Sequence, residues 1–341
     1  MSAIRLRLGV IGIEHLHLFE MVDGLLNVGA ETVCHAAGDG PLTAMYEGWR
    51  PESERRPVDA VLADPSLDLV VLAGVPSERA GMALAALAAG RHVLSAKPAV
   101  TTLDDLDALD IVGAGPARWW VFFSERLCNR AVNEAIRLVH AGAIGEVVAV
   151  TGAAPHTLAA DSRPEWFFDP SRSGGILTDL ITHQADQMTA LVGHFTPAVM
   201  SATVENVATP HHPEFQDLGR VSLRTEIDGR VILSDHHVDW LSPAGLGTWG
   251  DVRLVITGTT GTIEVRSNID VAGESGAEHL ILVDADSARR VDCSGVVIDW
   301  AERLRTDIEL GTDTFVSHVH TVDACRAAIR AQRAAEAFRD R

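Results

Sequence analysis

Along the first third of the chain, short apolar runs alternate with stretches whose apolar positions recur every three or four residues. Arg5-Leu-Arg-Leu-Gly-Val-Ile-Gly12 reads as a buried strand closing on a glycine, and Glu14 to Leu26 as a helix. Glu31 to Ala37 is a second short strand. Leu67-Asp-Leu-Val-Val-Leu-Ala73 is nearly continuous in apolar residues, as a parallel strand covered on both faces should be. Ser77 to Ala89 predicts an alanine-rich helix ended by Gly90, and His92-Val-Leu-Ser95 the next strand. Thr102 to Val112 predicts a helix capped by Thr102 with acidic residues in its first turn, and Trp119-Trp-Val-Phe-Phe123 a further strand. This alternation predicts an α/β, Rossmann-like, doubly wound parallel sheet over residues 1–123.

After residue 123 the period changes. Leu127 to Ala141 predicts one long helix ending at Gly142, and Gly145-Glu-Val-Val-Ala-Val150 a strand. Gly219 to Glu226, Val231 to Val238, Val252 to Ile256 and Thr262 to Val265 then alternate with period two. They predict a large, open, mainly antiparallel sheet with one polar face, in an α+β domain over residues 124–341. Residues 267–280 are polar and glycine-rich and read as an exposed loop; Thr314 to Phe338 reads as a final helix.

Composition narrows the function classes. The 47 acidic residues against 28 basic ones give a formal charge of −19, which argues against nucleic acid or an anionic membrane as a partner. The four cysteines, Cys34, Cys128, Cys293 and Cys325, are widely spaced and read as buried thiols in a reducing compartment, neither a disulfide frame nor a zinc site. Met1-Ser-Ala-Ile-Arg5 leads into the first strand without a signal peptide's long apolar stretch, and no run suffices for a membrane span. A cytoplasmic location is expected.

Candidate chemistry sits at three places. At the first strand–helix turn, Gly12-Ile13-Glu14-His15-Leu16-His17, only the first glycine of a G-x-G-x-x-G pattern is present. Glu14 and His17 occupy the other two glycine positions, although the helix N-terminus still offers N–H groups to an anion. Asp39, after the second strand, stands near where a carboxylate would bind an adenosine ribose. No arginine adjoins it in sequence, which favours NAD over NADP; an Asp in a Gly-rich turn is an equal reading. Gly174-Gly175 precedes Asp179 and His183, whose i, i+4 spacing puts a carboxylate and an imidazole one helical turn apart. Such a carboxylate can orient the ring for proton transfer, and the glycines leave room for a ligand. His156, Arg126 and Trp166 are candidate substrate contacts by position. His236 and His237 point to opposite faces of one strand. No tight ligand spacing predicts a metal. The sole tyrosine, Tyr46, has no Tyr-x-x-x-Lys pattern.

Taken together and in order, Asp68-Leu-Val-Val-Leu-Ala-Gly-Val-Pro76, Met82 to Leu94, Ala96-Lys97-Pro98, Ala141-Gly-Ala-Ile-Gly-Glu-Val147, Gly174-Gly175 with Asp179 and His183, and Ile256 to Glu264 resemble the Gfo/Idh/MocA family. The resemblance implies NAD or NADP bound at the first domain, at Gly12, Ile13, Glu14, His15, Asp39, Pro76 and Lys97. It implies an NAD(P)-dependent oxidoreductase acting on a hydroxyl or carbonyl of a sugar, polyol or related small molecule. In it Lys97 stands near the nicotinamide, His183 is the acid/base and Asp179 supports the histidine. The family's Glu-Lys-Pro reads Ala96-Lys97-Pro98 here, so its glutamate is replaced. Two alternatives stay open: a non-redox relative that binds a sugar or regulates, and an NAD-assisted glycosidase or lyase. The resemblance also implies a homo-oligomer formed through the C-terminal sheet.

Overall fold

A computed structural model describes residues 5–271 and 273–339. Met1 to Ile4, read above as leading into the first strand, lie outside them. The chain forms two compact units: one holds the chain up to Phe123 with Asp299–Val322, the other Ser124–Ile298 with the chain from Asp323. The region read as one second domain, 124–341, thus returns a stretch to the first unit.

The first unit runs β1 (Arg7–Ile13), α1 (His17–Asn27), β2 (Glu31–Ala36), α2 (Pro41–Trp49), β3 (Glu54–Arg55), α3 (Val58–Ala63), β4 (Leu69–Ala73), α4 (Pro76–Ala88), β5 (His92–Ala96), α5 (Leu103–Gly113) and β6 (Trp119–Phe122). The strands form one parallel sheet in the order β3-β2-β1-β4-β5-β6. All five residues of β4 are buried, which is why its sequence lacks alternation. Thr102 caps α5, its side chain accepting the Asp105 N–H. The returning stretch adds a helix, Trp300–Leu310, whose Trp300 ring lies 4.8 Å from Phe122.

The second unit begins with two helices where one was expected. α6 (Ser124–Leu127) and α7 (Arg130–His140) are separated because Asn129 leaves the helical conformation and caps α7, accepting the Val132 N–H. Then come β7 (Val147–Pro155), α8 (Pro170–Ser173), a π-helical turn at Leu177–Ile181, and α9 (Thr182–Val192). β8 (Ala198–Glu205), β9 (Leu218–Ile227), β10 (Arg230–Asp239), β11 (Arg253–Gly258), β12 (Thr262–Arg266), β13 (His279–Val283) and β14 (Ala288–Val291) follow. The eight strands order as β14-β13-β12-β11-β7-β10-β9-β8, antiparallel except for the β7–β10 pair. The covered face carries Val150, Ile232, Leu254, Ile256, Ile263 and Val265, while Val231 and Leu233 on the other face of β10 are exposed. β13 shortens the loop read over 267–280, which ends before His279. A last helix spans His318–Arg339.

Candidate functional site

In the first unit, β1 and β4 are neighbours although the chain between them forms β2 and β3 on the far side of β1. Their C-terminal ends are the switch point at which open α/β sheets hold ligands. A cleft of about 290 Å³ lies there, lined by Gly12 and Glu14 of the first turn, Ala36 at the end of β2, Ala37 and Gly38 after it, and Arg56, Leu72, Val75 and Arg79 among others. Gly12 takes a positive φ of 76°, and a Cβ on it would collide with the Gly74 backbone, so this position admits only glycine.

The turn itself departs from what a pyrophosphate needs. The N–H of His17 is donated to His15 Nδ1 (3.2 Å), that of Leu18 to His15 O and that of Phe19 to Leu16 O (both 3.1 Å). These first N–H groups of α1, expected to face an anion, are taken up by the turn that replaces the glycines. Ile13, His15 and Pro76 do not line the cleft, although Val75, just before Pro76, does. The small side chains of Ala36 and Ala37, the apolar Leu72 and Val75, and two guanidinium groups do fit the adenosine half of a dinucleotide.

Asp39 is set differently from expectation. Its side chain is 93% exposed, lies outside the cleft lining and pairs with Arg55 at 2.7 Å. The parallel pairing of β2 with β3 places His35 against Arg55 and so carries that guanidinium to the end of β2, where it also donates to Ala37 O at 2.9 Å. An arginine therefore stands beside Asp39 in space, which removes the ground for preferring NAD over NADP.

Lys97 follows β5, is 4% exposed and precedes Pro98 through a cis peptide bond. Arg79, in the first turn of α4 and itself buried, holds this corner. Its Nε donates to Gly74 O (2.7 Å), and one Nη donates to both Ala96 O (3.1 Å) and Pro98 O (2.8 Å). One planar guanidinium thus joins the ends of β4 and β5 on either side of Lys97. Sequence reasoning passed over Arg79; an arginine inside an otherwise alanine-rich helix was the signal.

In the second unit, the helix from the π turn through α9 is buried on every side. Thr178, Asp179, Thr182, His183, Gln184, Asp186, Gln187 and Thr189 are all buried. Buried polar runs of this kind cost desolvation unless their groups are engaged. The π turn changes the expected relation of Asp179 to His183, because the i, i+4 stacking of an α-helix does not hold through a π segment. Asp179 lines a narrow cleft with Phe167, Phe215, Gln216 and Trp240. Its charge also acts on Arg163, whose guanidinium lies over the Phe167 ring (4.4 Å) and the Trp240 ring (5.2 Å). Burial lowers the Arg163 pKa, and Asp179 opposes that shift.

His183 Nε2 lies 3.9 Å from Glu125 Oε1, and His156 Nε2 lies 3.7 Å from the same oxygen. Gln184 Nε2 donates to Glu125 Oε2 at 3.5 Å. The His156 ring packs against Trp240 and Trp249, with centroids 5.3 and 4.3 Å away, and the Thr157 N–H donates to Trp249 O. Two of the expected residues, His156 and His183, thus meet around a carboxylate that the sequence reading missed.

Other expectations end elsewhere. The Arg126 guanidinium is committed to Asp186 by two bonds of 2.7 Å, both side chains buried, so it makes an internal ion pair in place of a substrate contact. Asp186, fully buried, thus accepts both bonds from Arg126. Trp166 is buried beside Phe167, with ring centroids 6.0 Å apart. The room beside Gly175 is filled by the protein's own Gln332 and Gln216, which accept the Leu177 and Ile176 N–H groups. His236 is buried on the covered face, whereas His237 pairs with Asp239 (2.7 Å) on the open face. Among the described residues no group of three or more His, Cys, Asp or Glu side chains is arranged to hold a metal ion. None of the four cysteines is in a disulfide, and Cys34, Cys293 and Cys325 are buried. Among the described residues no helix is long and apolar enough to cross a membrane.

Residues 132–264 match the GFO/IDH/MocA C-terminal domain. A crystal structure of an Erwinia carotovora atroseptica protein, provisionally described as an oxidoreductase, shares 32% identity over 97% of this chain and 99% of its own, with a TM-score of 0.92. The chain belongs to the Gfo/Idh/MocA family. D-xylose dehydrogenase of Paenarthrobacter nicotinovorans is 23% identical over 196 residues, 56% of this chain and 50% of that enzyme. The chain thus spans about half the length of the first curated relatives it matches. Levoglucosan dehydrogenase, solved with NADH and levoglucosan, superposes with a TM-score of 0.79 at 20% identity, over 98% of each chain.

Proposed function

We propose that this protein is an NAD(P)-dependent oxidoreductase acting on a hydroxyl or carbonyl of a small sugar, polyol or related compound. The observation that carries this reading is the fully buried polar helix bearing His183, with His156 and Glu125 gathered around it. A carbinol loses a hydride only as its hydroxyl proton is removed, and His183 is the base that takes that proton. Lys97, its backbone braced by Arg79, supplies an ammonium that stabilises charge developing on the substrate oxygen. Asp179 supports the histidine helix. The aromatic rings of Trp240 and Trp249 beside His156 suit the apolar faces of a sugar ring.

When bound, the dinucleotide supplies the hydride acceptor. Gly12, Ala36, Ala37, Gly38, Arg56 and Arg79 would hold its adenosine half. NAD and NADP stand level, since Arg55 and Arg56 offer charge to a ribose phosphate and Asp39 offers a carboxylate to a ribose hydroxyl. The comparison with the NADH-bound levoglucosan dehydrogenase supports a nicotinamide cofactor. The open face of the eight-stranded sheet, with Val231 and Leu233 exposed, supports a homo-oligomer formed through it. A cytoplasmic setting accords with four cysteines held in no disulfide.

A second reading is a family relative that holds a sugar without redox turnover. The internally bonded first turn of α1, with Glu14 at the cleft, favours it. Fluorescence titration with NADH and NADPH separates the two: the oxidoreductase reading expects saturable binding of one cofactor, and no binding at millimolar concentration rejects it. With turnover established, His183→Ala should lower kcat at least about a hundredfold while leaving cofactor affinity near wild type; unchanged kcat would remove the histidine from the chemistry.

A further inference from the structure

We propose that Glu47, fixed by the buried His35, sets the cofactor choice of the first unit's cleft: it keeps Arg55 engaged with carboxylates and so reserves the site for NAD(H) over the 2′-phosphorylated form. The inference rests on the oxidoreductase reading and names the cofactor which that reading leaves open.

An arginine at the end of β2 welcomes a ribose phosphate only while its charge is unspent. Arg55 donates through one Nη to Asp39 Oδ1 (2.7 Å) and Ala37 O (2.9 Å), and its other Nη lies 3.5 Å from Glu47 Oε1. Arg56, which lines the cleft, is engaged more fully. Its Nε and one Nη donate to Glu54 Oε2 (2.9 and 2.6 Å), and the other Nη donates to Asp64 Oδ2 (2.7 Å). Four carboxylates thus surround two guanidinium groups, and even a charged His35 would leave the set negative. A 2′-phosphate brings roughly two more negative charges into that field, and a bond from it to Arg55 must displace a carboxylate already there. A 2′-hydroxyl meets no such opposition. It can donate, and Asp39 gives Arg55 only one of its two oxygens.

Anchorage singles out Glu47 among the four carboxylates. The Asp39 side chain is 93% exposed and, among the described residues, is held by Arg55 alone. Glu47 projects from α2 onto His35 of β2, which is 1% exposed. His35 Nε2 lies 3.2 Å from Glu47 Oε1, and a carboxylate only accepts, so Nε2 carries a hydrogen in either protonation state of the ring. Nδ1 lies 3.0 Å from Ser53 Oγ, which accepts from the Tyr46 hydroxyl at 3.4 Å. Burial pushes the Tyr46 phenol up to about 12, so it stays a donor, and its ring stands edge-on to the imidazole at 5.2 Å. Both ring nitrogens and the packing therefore fix His35. Glu47 cannot withdraw from Arg55 without leaving a buried donor unanswered. His35 is a positioning residue that acts through Glu47.

The test is fluorescence titration of the full-length protein with NADH and with NADPH, in wild type, Glu47→Gln, His35→Leu and His35→Gln. The wild type should bind NADH at least about tenfold more tightly than NADPH, and the gap should narrow as salt screens the carboxylates. Glu47→Gln should tighten NADPH about tenfold while leaving NADH within about threefold of wild type. His35→Leu should relax the preference in the same direction, and His35→Gln, which keeps a donor at similar reach, should restore most of it. A wild type that binds the two cofactors equally, or prefers NADPH, overturns the proposal even if the variants do not fold. So does a folded Glu47→Gln that keeps the wild-type ratio or weakens both cofactors alike, as a merely structural role would. NADH binding with an unmoved ratio rejects this proposal alone, whereas binding of neither cofactor rejects the oxidoreductase reading and this proposal with it.

Discussion

His236 sits on the covered face of β10 with neither ring nitrogen hydrogen-bonded among the described residues. Burial pushes its pKa from an ordinary 6.5 to about 4, with Asp235 opposing weakly. Between those values the unfolded chain binds a proton that the folded chain refuses. Stability therefore falls as pH drops through that window, by up to roughly 3 kcal/mol at its acid end. His236→Leu removes the refused proton. Its unfolding free energy in urea should lose less between about pH 7 and 4.5 than the wild type's does; parallel losses would show that another group controls acid stability. The sequence indicated that His236 and His237 face opposite ways, because strand alternation is strict. It could not indicate Glu125, whose contacts with His156 and His183 join three separate segments that no local period links.

At the level of elements, the Gly174–Gly175 corner shows how a correct cue pointed to the wrong occupant. Both residues adopt left-handed backbone, with φ of 92° and 80°. The space left by the missing side chain of Gly175 holds Gln332 and Gln216, whose carbonyl oxygens cap the start of the buried helix. Gly175→Ala should therefore destabilise the protein by about 2–4 kcal/mol, combining backbone strain with displacement of the Gln332 amide. Thermal unfolding measures it, and a melting temperature within about a degree of wild type would refute this role. The elements of the first unit were legible where apolar runs were continuous, as in β4 and β5. β3, two exposed residues, and β14, a mostly exposed edge strand, carry no such signature. The π turn was invisible for a different reason: the residues that form it, Leu-Thr-Asp-Leu-Ile, suit an ordinary helix equally well.

For the molecule as a whole, the change of period after residue 123 indicated two kinds of sheet, and the structure has both. Less legible was the chain from Asp299 onward, where helical periodicity says nothing about which core a helix joins. The open face of the eight-stranded sheet carries Val231 and Leu233 beside a groove lined by Thr151, Arg220, Ser222, Asp235 and His237. If copies of the chain meet there, the double substitution Val231→Lys, Leu233→Lys should convert the oligomer to a monomer in light-scattering chromatography without changing the far-ultraviolet circular dichroism. An unchanged mass would place the interface elsewhere, and a monomeric wild type would end the idea.

The return of Asp299–Val322 to the first unit has a consequence for how the protein is made. A ribosome releases β1 to β6 long before it reaches Trp300, so Phe122 and its neighbours must wait for the ring that covers them. The Phe122 end of the nascent first sheet thus stays uncovered while residues 124–298 of the second unit are synthesised. Chain termination anywhere before residue 299 would leave the first unit incomplete as well as the second.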